Sequence, residues 1–123
     1  MTLTDRMRRT IRAHGPITVA AFMESALYDA QDGYYATSAQ RSGRAGDFYT
    51  SVDVGPLFGE LMAEFAARRW AAWRDGAPPD EPFWLIEAGA GNGRLMRDLL
   101  DTLAAEQPAC YAAARVGLVE RSA

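Results

Sequence analysis

A short apolar run, Phe83-Trp84-Leu85-Ile86, leads into Glu87-Ala88-Gly89-Ala90-Gly91-Asn92-Gly93, and residues 95–100 then return to an amphipathic pattern. This order reads as a strand, a glycine turn and a helix. Glycine admits positive φ and lets a ligand approach the backbone closely. A helix opening at such a turn directs unpaired N–H groups and a partial positive charge toward whatever lies there. The turn therefore predicts a pocket for a nucleotide-like ligand. A glycine-rich connection with no ligand is the alternative reading of the same residues.

Two ligand families use a turn of this kind. The dinucleotide fingerprint, G-x-G-x-x-G, places its third glycine where the helix packs on the strand, and that position is Arg94 here. The glycines fall instead at 89, 91 and 93, with an acid two residues before the first. This spacing resembles the first motif of class I S-adenosylmethionine-dependent methyltransferases, E/D-x-G-x-G-x-G. The resemblance implies that the backbone of Gly89, Gly91 and Gly93 lies against the methionine part of the cofactor. It also implies that Glu87 helps bind the positively charged end of that cofactor.

Beyond the helix, Glu106-Gln107-Pro108 precedes Val116-Gly117-Leu118-Val119-Glu120, a β-prone segment ending in a carboxylate. In doubly wound sheets the second strand lies beside the first. An acid at its carboxyl end can then accept hydrogen bonds from ribose hydroxyls. Glu120 is the candidate, although an acid at a strand end is also an ordinary surface residue.

The 123 residues suffice for one domain with a core. A net charge of −3 argues against general affinity for nucleic acid or an anionic membrane. All 13 basic residues are arginine, which together with abundant alanine reads as coding bias. The single cysteine, Cys110, excludes an internal disulfide and a cysteine-built metal site, and reads as filling space near a helix. The single histidine, His14, has no partner histidine for a metal site or a triad. No apolar run reaches the ~18 residues that span a bilayer, and the first residues lack the apolar core of a secretory signal. The expectation is a cytoplasmic protein without metal or membrane insertion.

In the amino-terminal half, Leu3, Met7 and Ile11 form one helical stripe, which Gly15-Pro16 ends. Thr18 can cap a second helix with the stripe Val19, Phe22, Met23, Ala26 and Leu27. Asp32-Gly33 reads as a turn before Tyr34-Tyr35. Residues 36–45 read as a loop whose Arg41 and Arg44 face solvent. Asp53 is a candidate N-cap for a long helix with Pro56 in its first turn. The stripe of that helix, Leu57, Phe58, Leu61, Met62, Phe65, Trp70 and Trp73, reads as core, with Asp75-Gly76 as its end. The polar residues from Asp47 to Asp53 suit either a capping turn or the mouth of a pocket.

Several short motifs then occur in order: Gly15-Pro16-Ile17, Phe22-Met23, Gly33-Tyr34-Tyr35, Gly46-Asp47-Phe48, Thr50-Ser51 and Phe58-Gly59-Glu60. The glycine motif and Val119-Glu120-Arg121-Ser122 follow them. With these motifs nearly the whole chain resembles the MidA family of class I methyltransferases, whose mitochondrial members assist assembly of respiratory complex I. Ala90, Asn92 and Arg94 stand where Pro, Arg and Thr are common in that family. The resemblance implies methyl transfer from S-adenosylmethionine to a protein, with arginine the acceptor attributed to mitochondrial relatives. It makes a respiratory complex I subunit the implied partner. A guanidinium has a pKa above about 12, so carboxylates that orient it are useful. Asp47 and Glu60 are the candidates, and Thr50 and Ser51 could line the same pocket.

The expected fold class is α/β: amino-terminal helices followed by the first two parallel strands of a doubly wound, Rossmann-like sheet. On that reading, residues 1–80 form a helical region with a loop at 36–53, and residues 81–123 begin the cofactor-binding domain. The chain reads as the truncated amino-terminal part of a methyltransferase, poorly stable, weak in cofactor binding and not catalytic alone. Two strands are expected to leave apolar surface open, with Trp84, Ile86, Leu99 and Leu103 only partly surrounded. A non-catalytic assembly module is the second functional reading. A nicotinamide-dependent oxidoreductase, disfavoured by Arg94, is the third.

Overall fold

The computed structural model describes residues 1–37, 43, 46, 48–78 and 80–121. Arg41, Arg44, Asp47 and Ser122, all named above, lie outside the described residues. Two compact units are present, one within Met1–Phe48 and one spanning Tyr49–Arg121.

In the first unit, α1 (Leu3–His14) begins at Thr2, whose side chain accepts from the Asp5 N–H while the Asp5 carboxylate accepts from the Thr2 backbone. This reciprocal pairing satisfies two of the amide groups that every helix start leaves open. The helix ends at Gly15, and α2 (Val19–Tyr28) is capped by Thr18, both as the sequence indicates. Neither helix buries a residue completely. On α2 the expected stripe is only partly sheltered: Ala26 and Leu27 are half-buried, whereas Val19, Phe22 and Met23 are exposed.

The second unit holds the core. Its first element is a single helical turn, α3 (Ser51–Val54), followed by the long α4 (Leu57–Arg74). The strands β1 (Phe83–Ala88) and β2 (Ala114–Val119) pair in parallel, with Phe83 opposite Ala114 and Ala88 opposite Val119. Between them come α5 (Arg94–Glu106) and α6 (Pro108–Ala113). The expected α/β class and the two parallel strands are therefore present.

Three expectations fail in detail. Asp53 does not cap α4; it lies at the third position of α3 and pairs with Thr50 at the start of that helix. The face that α4 buries consists of Gly59, Ala63, Ala66 and Ala67 rather than its aromatic stripe, of which Leu57, Phe58, Leu61 and Phe65 are exposed. The reason is distance. A Cβ at Gly59 would lie 2.6 Å from the Asp98 Cβ, so α4 and α5 approach too closely for large side chains between them. Trp73 and Phe83 do meet, with ring centroids 5.6 Å apart, which ties the far end of α4 to β1.

Leu99 and Leu103 are also not partly surrounded. Both are buried, with Ala63, Ala67, Met96 and Cys110. Trp84 and Ile86 behave as expected and remain 57% and 68% exposed on the opposite face of β1. After Glu106, where sequence reading assigns no element, Pro108 opens α6, which places Cys110 in the core.

Candidate cofactor site

Gly89, Gly91 and Gly93 have φ of 73°, 53° and 72°, in the left-handed region where a side chain is strained. The alternating glycines thus reverse the chain between β1 and α5 in a way that other residues would resist. Among the described residues, nothing lies within 4 Å of where a Cβ would sit on Gly89 or Gly91. That side of the turn is open to a ligand.

The turn is held from β2. The Gly89 and Ala90 N–H groups donate to the Val119 carbonyl at 2.7 and 3.2 Å. The Gly91 N–H donates to Glu120 Oε2 at 2.7 Å, and the Arg121 N–H donates to Glu120 Oε1 at 2.8 Å. Glu120 therefore stands on the rim of the turn, bonded to its middle glycine. Just ahead of α5, the Asn92 side chain accepts from the Arg94 N–H at 3.1 Å.

Glu87 has a different situation. It follows Phe83 and Leu85 on the half-buried face of β1 and borders an apolar cavity of about 210 Å³ lined also by Met62, Phe65, Leu95 and Met96. Burial pushes its carboxyl above the usual carboxylate range, and the Met96 N–H, which donates to it, pulls the other way. Its Oε2 is buried without a hydrogen-bond partner among the described residues. A buried acceptor of this kind leaves room for one more donor.

The remaining candidates sit on α3 and α4. Thr50 precedes α3, and Ser51 is its first residue. Both Thr50 N–H and Oγ1 donate to Asp53 Oδ2, at 2.9 and 2.8 Å. Asp53 in turn faces Arg94 Nη1 through Oδ1 at 3.5 Å. Thr50 is thereby linked to the helix that opens at the glycine turn. Glu60 is exposed in the first turn of α4, next to the buried Gly59. Asp47 lies outside the described residues.

Arg94 and Asp53 are the pair that sequence reading missed as a site feature. Arg94 is read there as a missing glycine and a departure from the family's Thr, and Asp53 as a cap or part of a pocket mouth, but the two are not connected. They are 41 positions apart, and no local spacing connects them. Among the described residues no group of acids, His and Cys is placed to hold a metal ion, and no helix is long and apolar enough to cross a membrane.

The site and its surroundings match known proteins. A family described as "Putative S-adenosyl-L-methionine-dependent methyltransferase" matches residues 61–123, just over half of the chain. The Drosophila melanogaster protein arginine methyltransferase NDUFAF7 homolog, mitochondrial, is 39% identical over 102 residues, covering 83% of this chain and 22% of that protein. Human protein arginine methyltransferase NDUFAF7, mitochondrial, is 37% identical over 90 residues, covering 73% of this chain and 19% of that protein. A crystal structure of a superfamily member from Burkholderia thailandensis bound to S-adenosyl-homocysteine superposes with a TM-score of 0.70 at 27% identity, over 93% of this chain and 36% of that one. The chain thus spans about a fifth of the length of the curated relatives it matches. On the glycine turn, the acid at the end of β2 and these matches, the chain belongs to the MidA family of S-adenosylmethionine-dependent class I methyltransferases.

Proposed function

We propose that the turn Gly89–Gly93, with Glu87 and Glu120, forms the methionine and ribose part of an S-adenosylmethionine site in a protein methyltransferase. One observation carries this reading: Glu120 stands on the middle glycine of a turn whose outer side is open. A ligand lying along Gly89 and Gly91 would meet bare backbone with no side chain in the way and, at the rim, a carboxylate able to accept from hydroxyls. The bound cofactor supplies a methyl group already activated on a sulfonium, so the chain's task is alignment, with no need of a nucleophilic side chain.

Glu87 suits the charged end of the ligand. Its Oε2, without a hydrogen-bond partner among the described residues, can accept from a ligand, and a ligand ammonium would draw the raised carboxyl back toward its ionised form. The acceptor we propose is a protein arginine, because the relatives cited are named as protein arginine methyltransferases. Glu60 would orient its guanidinium, with Thr50 and Ser51 lining the same pocket. A respiratory complex I subunit is the partner we propose from the family resemblance. Action in the cytoplasm belongs to the same proposal, and subcellular fractionation checks it.

Glu120→Ala tests the site assignment. Loss of the carboxylate should weaken binding of S-adenosylhomocysteine by about tenfold or more, as removal of a hydrogen bond to a charged group does. Unchanged affinity would remove Glu120 from the site. For the acceptor, a protein extending this chain to the length of its relatives, incubated with labelled cofactor and candidate proteins and read by mass spectrometry, should place the methyl group on arginine. Label on lysine or glutamine would overturn that assignment.

A further inference from the structure

Arg94 is out of place by local rules. It is the first residue of α5, where the helix presents positive charge, and the first turn of α5 contains no acid to offset it. A cation at that position is unfavourable unless a carboxylate arrives from elsewhere, and Asp53 is that carboxylate. The Asp53 side chain is only 4% exposed although it belongs to a helix of a single turn. Its Oδ2 is taken by the Thr50 N–H and hydroxyl, which directs Oδ1 toward Arg94.

We propose that Asp53 and Arg94 are positioning residues: together they tether the Thr50–Val54 turn to the start of α5 and so hold the glycine turn in its ligand-ready form. Arg94 is joined to the turn through its backbone: its N–H, in the peptide bond to Gly93, is held by Asn92. Freeing the guanidinium loosens the first turn of α5, which follows directly on the glycine turn. The tether deepens the reading of the site as a cofactor turn and rests on that reading for its purpose, though not for its existence.

The test separates the two. Arg94→Thr removes the tether but keeps the Thr50–Asp53 cap. Asp53→Asn weakens both, and the double variant completes a cycle. Amide hydrogen exchange is measured on each protein without ligand. The tether predicts exchange at residues 89–94 and 50–54 faster by about fivefold or more in Arg94→Thr, the low end of ordinary coupling between sites. The pairing amides of β1 and β2 should stay unchanged, and the double variant should add little to Asp53→Asn. Unchanged exchange at the turn, or an even rise throughout the unit, would overturn the tether. Titration of the same proteins with S-adenosylhomocysteine is read separately. Binding by the parent chain with fivefold or greater weakening in Arg94→Thr supports the positioning role. Binding that is equal in both overturns that role. Absence of binding in the parent chain defeats the cofactor reading, and with it the positioning role, while the exchange data still decide whether the tether exists.

Discussion

In Met1–Phe48 the elements are tied by charge, whereas in Tyr49–Arg121 they are tied by close packing. Arg6 on α1 donates to Asp29 at 2.6 Å and to Asp32 at 2.9 Å, joining the helix to the turn after α2, while neither helix buries a residue completely. In the second unit Gly59 on α4 sits against Asp98 on α5, and Leu103 and Cys110 have no exposed surface. The difference shows where rigidity is spent. The glycine turn opens from the unit whose described helices and strands share a buried apolar core, and a turn meant to hold a ligand needs such a base.

The comparison can be broken most severely in the packed unit. Leu103→Ala should cost about 3 kcal/mol or more, since a fully buried leucine leaves a cavity among neighbours already in contact. Urea denaturation followed by tryptophan fluorescence measures it. Gly59→Val comes next, at about 2 kcal/mol, because a Cβ 2.6 Å from another Cβ must push the helices apart. A Gly59→Val protein as stable as the parent would mean that α4 and α5 do not meet there. Arg6→Ala, in the charge-tied unit, should have the smallest effect of the three and should lose it as salt is raised. Hydrogen exchange of residues 29–35 at low and high ionic strength checks this.

pH sharpens the same contrast, with opposite signs. Hydrogen bonds from the Asp32 backbone, the Arg6 side chain and the Gln31 backbone hold the Asp29 carboxyl below its usual 3.8. Its contribution is therefore fully present above that pH and lost as pH falls through the folded value. Burial raises Glu87 above its usual 4.5, so the folded chain holds that proton more tightly than the unfolded one. Stability of the second unit should then fall as pH rises from 4.5 through the folded value. Glu87→Gln, which keeps an acceptor for the Met96 N–H, should flatten that fall and leave the unliganded chain more stable at neutral pH. Exchange at β1 and β2 amides between pH 4 and 7 reads it.

Much of this was legible along the chain because it is local. The Thr18 cap, the Gly15 stop and the glycine turn each depend on a few consecutive residues, and Glu120 follows from the strand that ends in it. The buried face of α4 was not legible. Hydropathy singles out Phe58, Leu61 and Phe65, yet the approach of α5 is set by Gly59, Ala63 and Ala67, small residues on the same helix. The helix α6 was hidden because six residues after a proline are too few to show a period. Asp53 reads as the N-cap of α4, whereas it lies at the third position of α3, a helix too short to anticipate. Its partner Arg94 lies beyond the reach of any local rule.

The most direct test of the central claim is an NMR titration of the isotopically labelled chain with S-adenosylhomocysteine, with NAD as the control. The amide signals of Gly89, Gly91 and Gly93 and that of Glu120 should shift in a saturable way with the first ligand and stay in place with NAD, while those of α1 and α2 do not move. Shifts with NAD of equal size, or no shift at the three glycines at saturating ligand, would contradict the assignment of this turn to S-adenosylmethionine.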